Sequence, residues 1–339
     1  MAAAARIKVE QKGQLEGEGF GESSYTLYQA TSEAQELEAP YLMVWLHGQD
    51  MGDIPSSDLK TMHRRLGRRT YFLVPMSPKM SSDGYRFYWG VSYTKSQNKN
   101  GLGFIFGQLH TGYLEALSSA VRRASDDVGA ERVLLAGYSM GGFGAYQLGA
   151  YAPELFDAVV SVAGYGLGTC EPPDAGFCAP QPESSEIFSA FLDSQACRLA
   201  VVPVVLVVHA LKDSISSFRD AAAIAGAVRA AGGWVELVEV PEEAADTDPS
   251  RKKKTRLGHH YFNYSILHDS SDEVLWGRLR RAFERVPQRR ELGAPCTPPA
   301  LARAARAAVP PPSRAALKSR SPRWAAAAPR TAIGRWRAT

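Results

Sequence analysis

A short apolar run that stops at a serine between glycines limits this chain more than any other feature: Val133 to Tyr146 reads VLLAGYSMGGFGAY. Arg132 to Ala136 has the make-up of a strand buried on both faces, and Phe143 to Tyr151 continues as a helix. The turn between them falls on Gly137-Tyr138-Ser139-Met140-Gly141. A turn that sharp strains its middle residue and leaves room only for small residues two positions either side, and both are glycine. It lifts the Ser139 hydroxyl clear of the sheet, at a helix start whose N–H groups favour the negative charge of acyl transfer. Ser139 is the candidate nucleophile; the plainer alternative is a chance Gly-x-Ser-x-Gly in a glycine-rich turn.

The rest of the chain supplies a frame for that turn. Residues 5–12 and 24–30 alternate as strands do and predict an antiparallel hairpin leading into a sheet. Apolar strands follow at 41–46, 71–75, 132–136, 156–163, 201–208 and 234–240, separated by helical patterns at 57–66, 112–128, 143–151, 218–231 and 273–286. This alternation predicts an α/β fold with a mostly parallel central sheet and helices on both faces. Residues 77–108 read as a long aromatic and glycine-rich loop of the kind that covers a substrate site. Trp89 and Tyr88 either line a pocket there or pack in the core. A second cap-like segment is expected at 164–197. The expected domains are N-terminal strands over 1–39, a body over 40–286 and a disordered basic Ala/Arg/Pro-rich tail over 287–339.

Charge is divided unevenly. The tail carries eleven Lys/Arg against one acid, so the net +4 of the whole chain conceals a mildly acidic body and argues against a nucleic-acid-binding face. RKKKTR at 251–256 is read as a solvated loop. Few cysteines, no apolar run long enough to cross a bilayer and no secretory apolar stretch in MAAAARIKVE lead us to expect a soluble, cytoplasmic protein. Neither a phosphate-cradling loop nor a dinucleotide fingerprint is present. Cys170 and Cys178 have neither Cys-x-x-Cys spacing nor a histidine set, so no metal and no cofactor are expected, while their pairing stays open.

A serine hydroxyl needs a base in hydrogen-bond reach, oriented in turn by a carboxylate. In parallel-sheet hydrolases these follow later strands in the order Ser, Asp, His. Asp213, in HALKDS after the strand 201–208, takes the acid's place; its rivals Asp193 and Asp220 fall on predicted helices. His259 and His260 follow the strand 234–240, with His268 further off.

In these residues the chain resembles the α/β-hydrolase superfamily, in particular its esterase branch of phospholipase/carboxylesterases, acyl-protein thioesterases and feruloyl-esterase-like enzymes. The matching pieces are LHGQDMGD at 46–53, GYSMGGFGAY at 137–146, APELFDAVVSVAG at 152–164, VPVVLVVHALKD at 202–213 and GHHYF at 258–262. The resemblance implies an oxyanion hole made by the N–H groups of Met140 and Gln49, with His47 a turn residue rather than a base. It implies His259 as the base, by the glycine before it and Phe262 after it, with His260 the alternative. Ala210 stands where the family has glycine before the acid, and the loop 241–257 is longer and more charged than usual. The implied activity is hydrolysis of a small-molecule or lipid acyl ester or thioester through an acyl-enzyme. A serine peptidase on the same triad and a non-catalytic binding protein of the same fold are the alternatives.

Overall fold

The computed structural model describes residues 5–18, 20–32, 35, 37–48, 54–78, 86–98, 101–164, 195–211, 213, 216, 218–240 and 274–285, with backbone alone at 86, 91–98, 101–109 and 285. All belong to a unit spanning 1–299; a second unit, 300–339, lies outside the described residues, as does the whole expected tail.

The elements follow in chain order: β1 (Arg6–Leu15), β2 (Ser23–Thr31), β3 (Tyr41–Leu46), α1 (Ser56–Leu66), β4 (Thr70–Pro75), β5 (Arg86–Tyr88), β6 (Val91–Asn98), β7 (Gly101–Leu109) and α2 (Thr111–Val128). Then come β8 (Arg132–Tyr138), α3 (Met140–Tyr151), β9 (Ala158–Val162), β10 (Val204–Ala210), α4 (Phe218–Ala230), β11 (Val235–Val240) and α5 (Trp276–Arg285). Eight strands form one sheet in the order β1-β2-β4-β3-β8-β9-β10-β11. β1 and β2 run antiparallel, as does β2 against β4; every later pair is parallel.

The unbroken apolar runs of β3, β4, β8, β9 and β10 follow from burial on both sides, and each of these strands is buried along its length. Their side chains alternate between two cores. Leu42, Val44, Leu135 and Val207 meet α2, α3 and α4 through Leu117, Tyr146 and Ile224. Met43, Trp45, Leu134 and Val208 meet α1 and α5 through Leu59, Met62, Trp276 and Leu279. The expected mostly parallel sheet with helices on both faces is what forms.

Residues 86–109 depart from expectation. Instead of a structureless loop they form a second, three-stranded antiparallel sheet, β5-β6-β7. Their aromatic and glycine content masked an alternation that pairs Asn98 with Gly101 and Tyr93 with Phe106. Most of the second cap-like segment, 165–194, lies outside the described residues.

Candidate active site

From β3 the chain moves outward to β4, then crosses back to β8 on the other side and continues outward through β9, β10 and β11. The strand order therefore reverses between β3 and β8, and the crevice beyond the carboxyl ends of strands at such a reversal is where open α/β sheets place their sites. His47–Gly48 leave β3 at this point, and Ser139 leaves β8.

Ser139 is the residue between β8 and α3. Its φ of 57° and ψ of −119° lie outside the regions an L-residue favours. Such a conformation costs about 1–3 kcal/mol and persists only where surroundings enforce it. They do so by proximity. A Cβ on Gly137 would stand 2.0 Å from Gly141 O, and one on Gly141 would stand 1.9 Å from Leu46 O. Both flanking glycines are needed because backbone, not side chain, fills the space. The Ser139 N–H donates to Val162 O at 2.9 Å, tying the turn to β9, and Ser139 O accepts the Phe143 N–H at 3.1 Å, starting the helix. Met140 opens α3, and the first N–H groups of a helix have no acceptor within it.

His47 is a turn residue, as expected. Its Nε2 accepts the Ser77 N–H at 3.2 Å, which leaves the proton on Nδ1, 2.8 Å from Gly48 O. Both ring nitrogens are thereby engaged with backbone, and the ring is the neutral Nδ1–H tautomer. Gln49, the other expected oxyanion donor, lies outside the described residues.

Asp213 follows β10, two strands along the sheet from β8, with its side chain buried. Oδ1 accepts the Ser216 N–H at 3.0 Å and Oδ2 accepts the Ser216 hydroxyl at 2.9 Å. The same hydroxyl stands 2.9 Å from Ala163 O, at the end of β9. His209 Nε2 lies 3.0 Å from Ser216 O and 3.5 Å from Asp213 Oδ2. Two donors from one residue orient the carboxylate, and charge-assisted bonds of this kind are the stronger class. Sequence reasoning did not assign Ser216 or His209. The available signal was HALKDS itself, with a histidine four residues before the acid.

His259, His260, His268, Cys170 and Cys178 lie outside the described residues. Trp89, expected either to line a pocket or to pack, is 1% exposed. Its indole Nε1 donates to His47 O at 3.2 Å, and its ring lies against Gly144 of α3. These contacts describe the packing role. No cluster of potential metal ligands occurs among the described residues, nor a helix long and apolar enough to cross a membrane.

No protein-family model and no curated protein sequence matches the chain. Solved structures do match. An acylaminoacyl peptidase from Pyrococcus horikoshii aligns with a TM-score of 0.51 at 16% identity, over 85% of this chain and 44% of that one. A Bacteroides ovatus protein provisionally assigned as a dipeptidyl aminopeptidase IV aligns with a TM-score of 0.50 at 14% identity, over 84% and 36%. A thermostable esterase aligns at 0.46 and 19% identity, over 69% and 57%. The chain thus spans less than two thirds of each of these proteins. The first two likenesses stand beside the mostly parallel eight-stranded sheet with helices on both faces: this chain has the α/β-hydrolase fold.

Proposed function

We propose that the protein is a serine hydrolase acting on an acyl ester or thioester. Ser139 Oγ attacks the acyl carbonyl while His259, with His260 as the alternative, takes its proton; Asp213 holds the imidazole. The N–H groups of Met140 and Gln49 hold the oxyanion. Collapse of the tetrahedral intermediate expels the alcohol or thiol, which receives the proton from the histidine, and leaves an acyl-serine. Water, deprotonated by the same histidine, then releases the acid and restores the hydroxyl.

The observation that carries this reading is the strained backbone of Ser139 at a helix start, enforced by Gly137 and Gly141. A fluorophosphonate probe should label the wild-type protein and not Ser139→Ala, with circular dichroism unchanged. Equal labelling of the two proteins would overturn it. The rate should rise with pH as the base loses its proton, around its usual pKa of about 6.5.

Peptide hydrolysis is the second reading, favoured by the acylaminoacyl peptidase among the structural likenesses. Turnover of aminoacyl-p-nitroanilides in preference to p-nitrophenyl acyl esters would select it. A folded protein with neither turnover nor labelling would select a binding role.

A further inference from the structure

β9 ends at Val162, and the next residue, Ala163, has a positive φ of 49°. A residue other than glycine is uncommon there and stays only where its surroundings hold it. Ala163 is held on both sides. Its N–H donates to Val208 O of β10 at 2.9 Å. The residue that follows, Gly164, is packed on the first turn of α3: a Cβ on it would stand 2.8 Å from the Gly142 carbonyl carbon and 2.2 Å from Ser161 Oγ. Ser161 Oγ in turn donates to Gly142 O at 3.1 Å.

Between these anchors the Ala163 carbonyl meets the Ser216 hydroxyl at 2.9 Å. Successive carbonyls at the end of β9 thus serve both candidate catalytic residues. Val162 O takes the Ser139 N–H, and Ala163 O takes the hydroxyl that also reaches Asp213.

A serine hydroxyl has one proton to give. Ser216 Oγ has two acceptors at the same 2.9 Å, Ala163 O and Asp213 Oδ2, the carboxylate being ionised as the acid of a triad must be. From β10, the titratable His209 faces the pair, with Nε2 3.3 Å from Ser216 Oγ and 3.5 Å from Asp213 Oδ2. Nε2 also lies 3.0 Å from Ser216 O, which can only accept, so this nitrogen carries its own proton and does not compete for that of the hydroxyl. A single proton is therefore divided between a carbonyl and a carboxylate. We infer that Ala163 is a positioning residue for the acid: its strained backbone aims its carbonyl at Ser216, draws part of the hydroxyl proton away from Asp213 and leaves the carboxylate the stronger base. This rests on the reading of Ser139 as nucleophile and Asp213 as acid. A carboxylate that accepts less from its neighbours is more basic, and it better stabilises the positive charge that the base of a triad acquires during attack.

The experiment uses the full-length protein and reads the pH midpoint of fluorophosphonate labelling. A β-branched residue does not tolerate positive φ, so Ala163→Val turns the carbonyl away and gives the whole proton to Asp213. The midpoint should then move down by about half a pH unit. Ser216→Ala, which removes the proton altogether, should move it up. In the Ser216→Ala background the valine should move it no further, because both act through one hydroxyl. Ala163→Gly, which adopts positive φ freely, should restore the wild-type midpoint. A packing defect alone would lower Tm in Ala163→Val and leave the midpoint in place, which overturns the inference; an equal shift with and without the Ser216 hydroxyl overturns it too. If Ala163→Val does not fold, the α-hydroxy analogue of Gly164 makes the Ala163 carbonyl an ester, a weaker acceptor, with no side chain changed. A lowered midpoint there supports the inference and an unmoved one overturns it. Labelling that is independent of Ser139, or unchanged in Asp213→Asn, would remove the reading of the site and this inference with it. Labelling that needs both residues, with the midpoint unmoved by the changes at the Ala163 carbonyl, would remove this inference alone.

Discussion

Gly141 and Leu46 touch through their backbones: a Cβ on the glycine would lie 1.9 Å from the leucine carbonyl oxygen. The turn that carries Ser139 is thus seated directly on the end of β3, and neither partner is a side chain that can swing aside. Gly141→Ala must separate the two or rotate the serine. A displacement of about 1 Å at a reacting group can cost about a hundredfold. The fluorophosphonate labelling rate of Gly141→Ala should fall by about that factor or more. A labelling rate within twofold of wild type would show that the contact tolerates a methyl group.

The acid loop makes a separate prediction. Ser216 gives Asp213 both its N–H and its hydroxyl. Ser216→Ala removes one donor from a buried carboxylate, and loss of a bond to a charged group costs about 1.5–3 kcal/mol. In the proposed triad the carboxylate then favours the protonated form of the imidazole more strongly. The rise of labelling rate with pH should therefore move to higher pH, alongside a lowered Tm. An unmoved profile would show that Asp213 does not orient the base through this cluster.

His63 lies in α1, buried, where desolvation lowers its pKa below the usual 6.5 despite the opposing hydrogen bond to the Arg68 backbone and the charge of Glu38. In the unfolded chain the ring takes up its proton at a higher pH than in the folded one. Stability is therefore retained above about pH 6.5 and lost as pH falls from there through the folded-state pKa. His63→Gln should flatten the fall of Tm between about pH 7 and pH 5. An equal slope in wild type and variant would exclude His63 as its source.

At the opposite end of the strands, Asp157 Oδ2 accepts the Val133 N–H at 2.8 Å, and Oδ1 lies 3.8 Å from Arg132 Nη1, with both side chains buried. Arg132 also stands over the ring of Phe283 in α5. Removing one partner of a buried pair costs about 3–5 kcal/mol. Asp157→Ala should lower the urea midpoint accordingly while leaving the labelling rate per folded molecule near wild type, since this cluster lies at the start of β8 and Ser139 follows its end. A midpoint within error of wild type would show that Arg132 finds compensation in Phe283.

Most of the sheet was legible because strands buried on both faces cannot be written in anything but apolar residues: β3, β8 and β10 are nearly continuous runs. Ser139 was legible because its glycines are dictated by backbone crowding, a constraint that survives any change in substrate. The β5–β7 sheet was not, because at 86–109 aromatic and glycine content outweighed a weak alternation, and Trp-Gly is not the dipeptide that announces a type I′ turn. Ser216 was invisible for another reason. A hydroxyl three residues beyond an aspartate acquires meaning only when the loop folds back on the carboxylate. Gln49, the expected oxyanion donor, and both candidate bases fall outside the described residues, so the sequence remains the ground for them.

The conformation of Ser139 is assembled from parts distant in the chain: the carbonyl of Leu46, the carbonyl of Val162 and the glycines beside it. No fragment containing 132–151 alone possesses it. Reaction with an electrophilic probe is therefore a reporter of assembly as well as of chemistry. During denaturation, labelling should disappear with the pairing of β3, β8 and β9, while helical signal from α2 can outlast it. On the proposed reading, a partly folded chain of this sequence carries no reactive hydroxyl until the central strands have met.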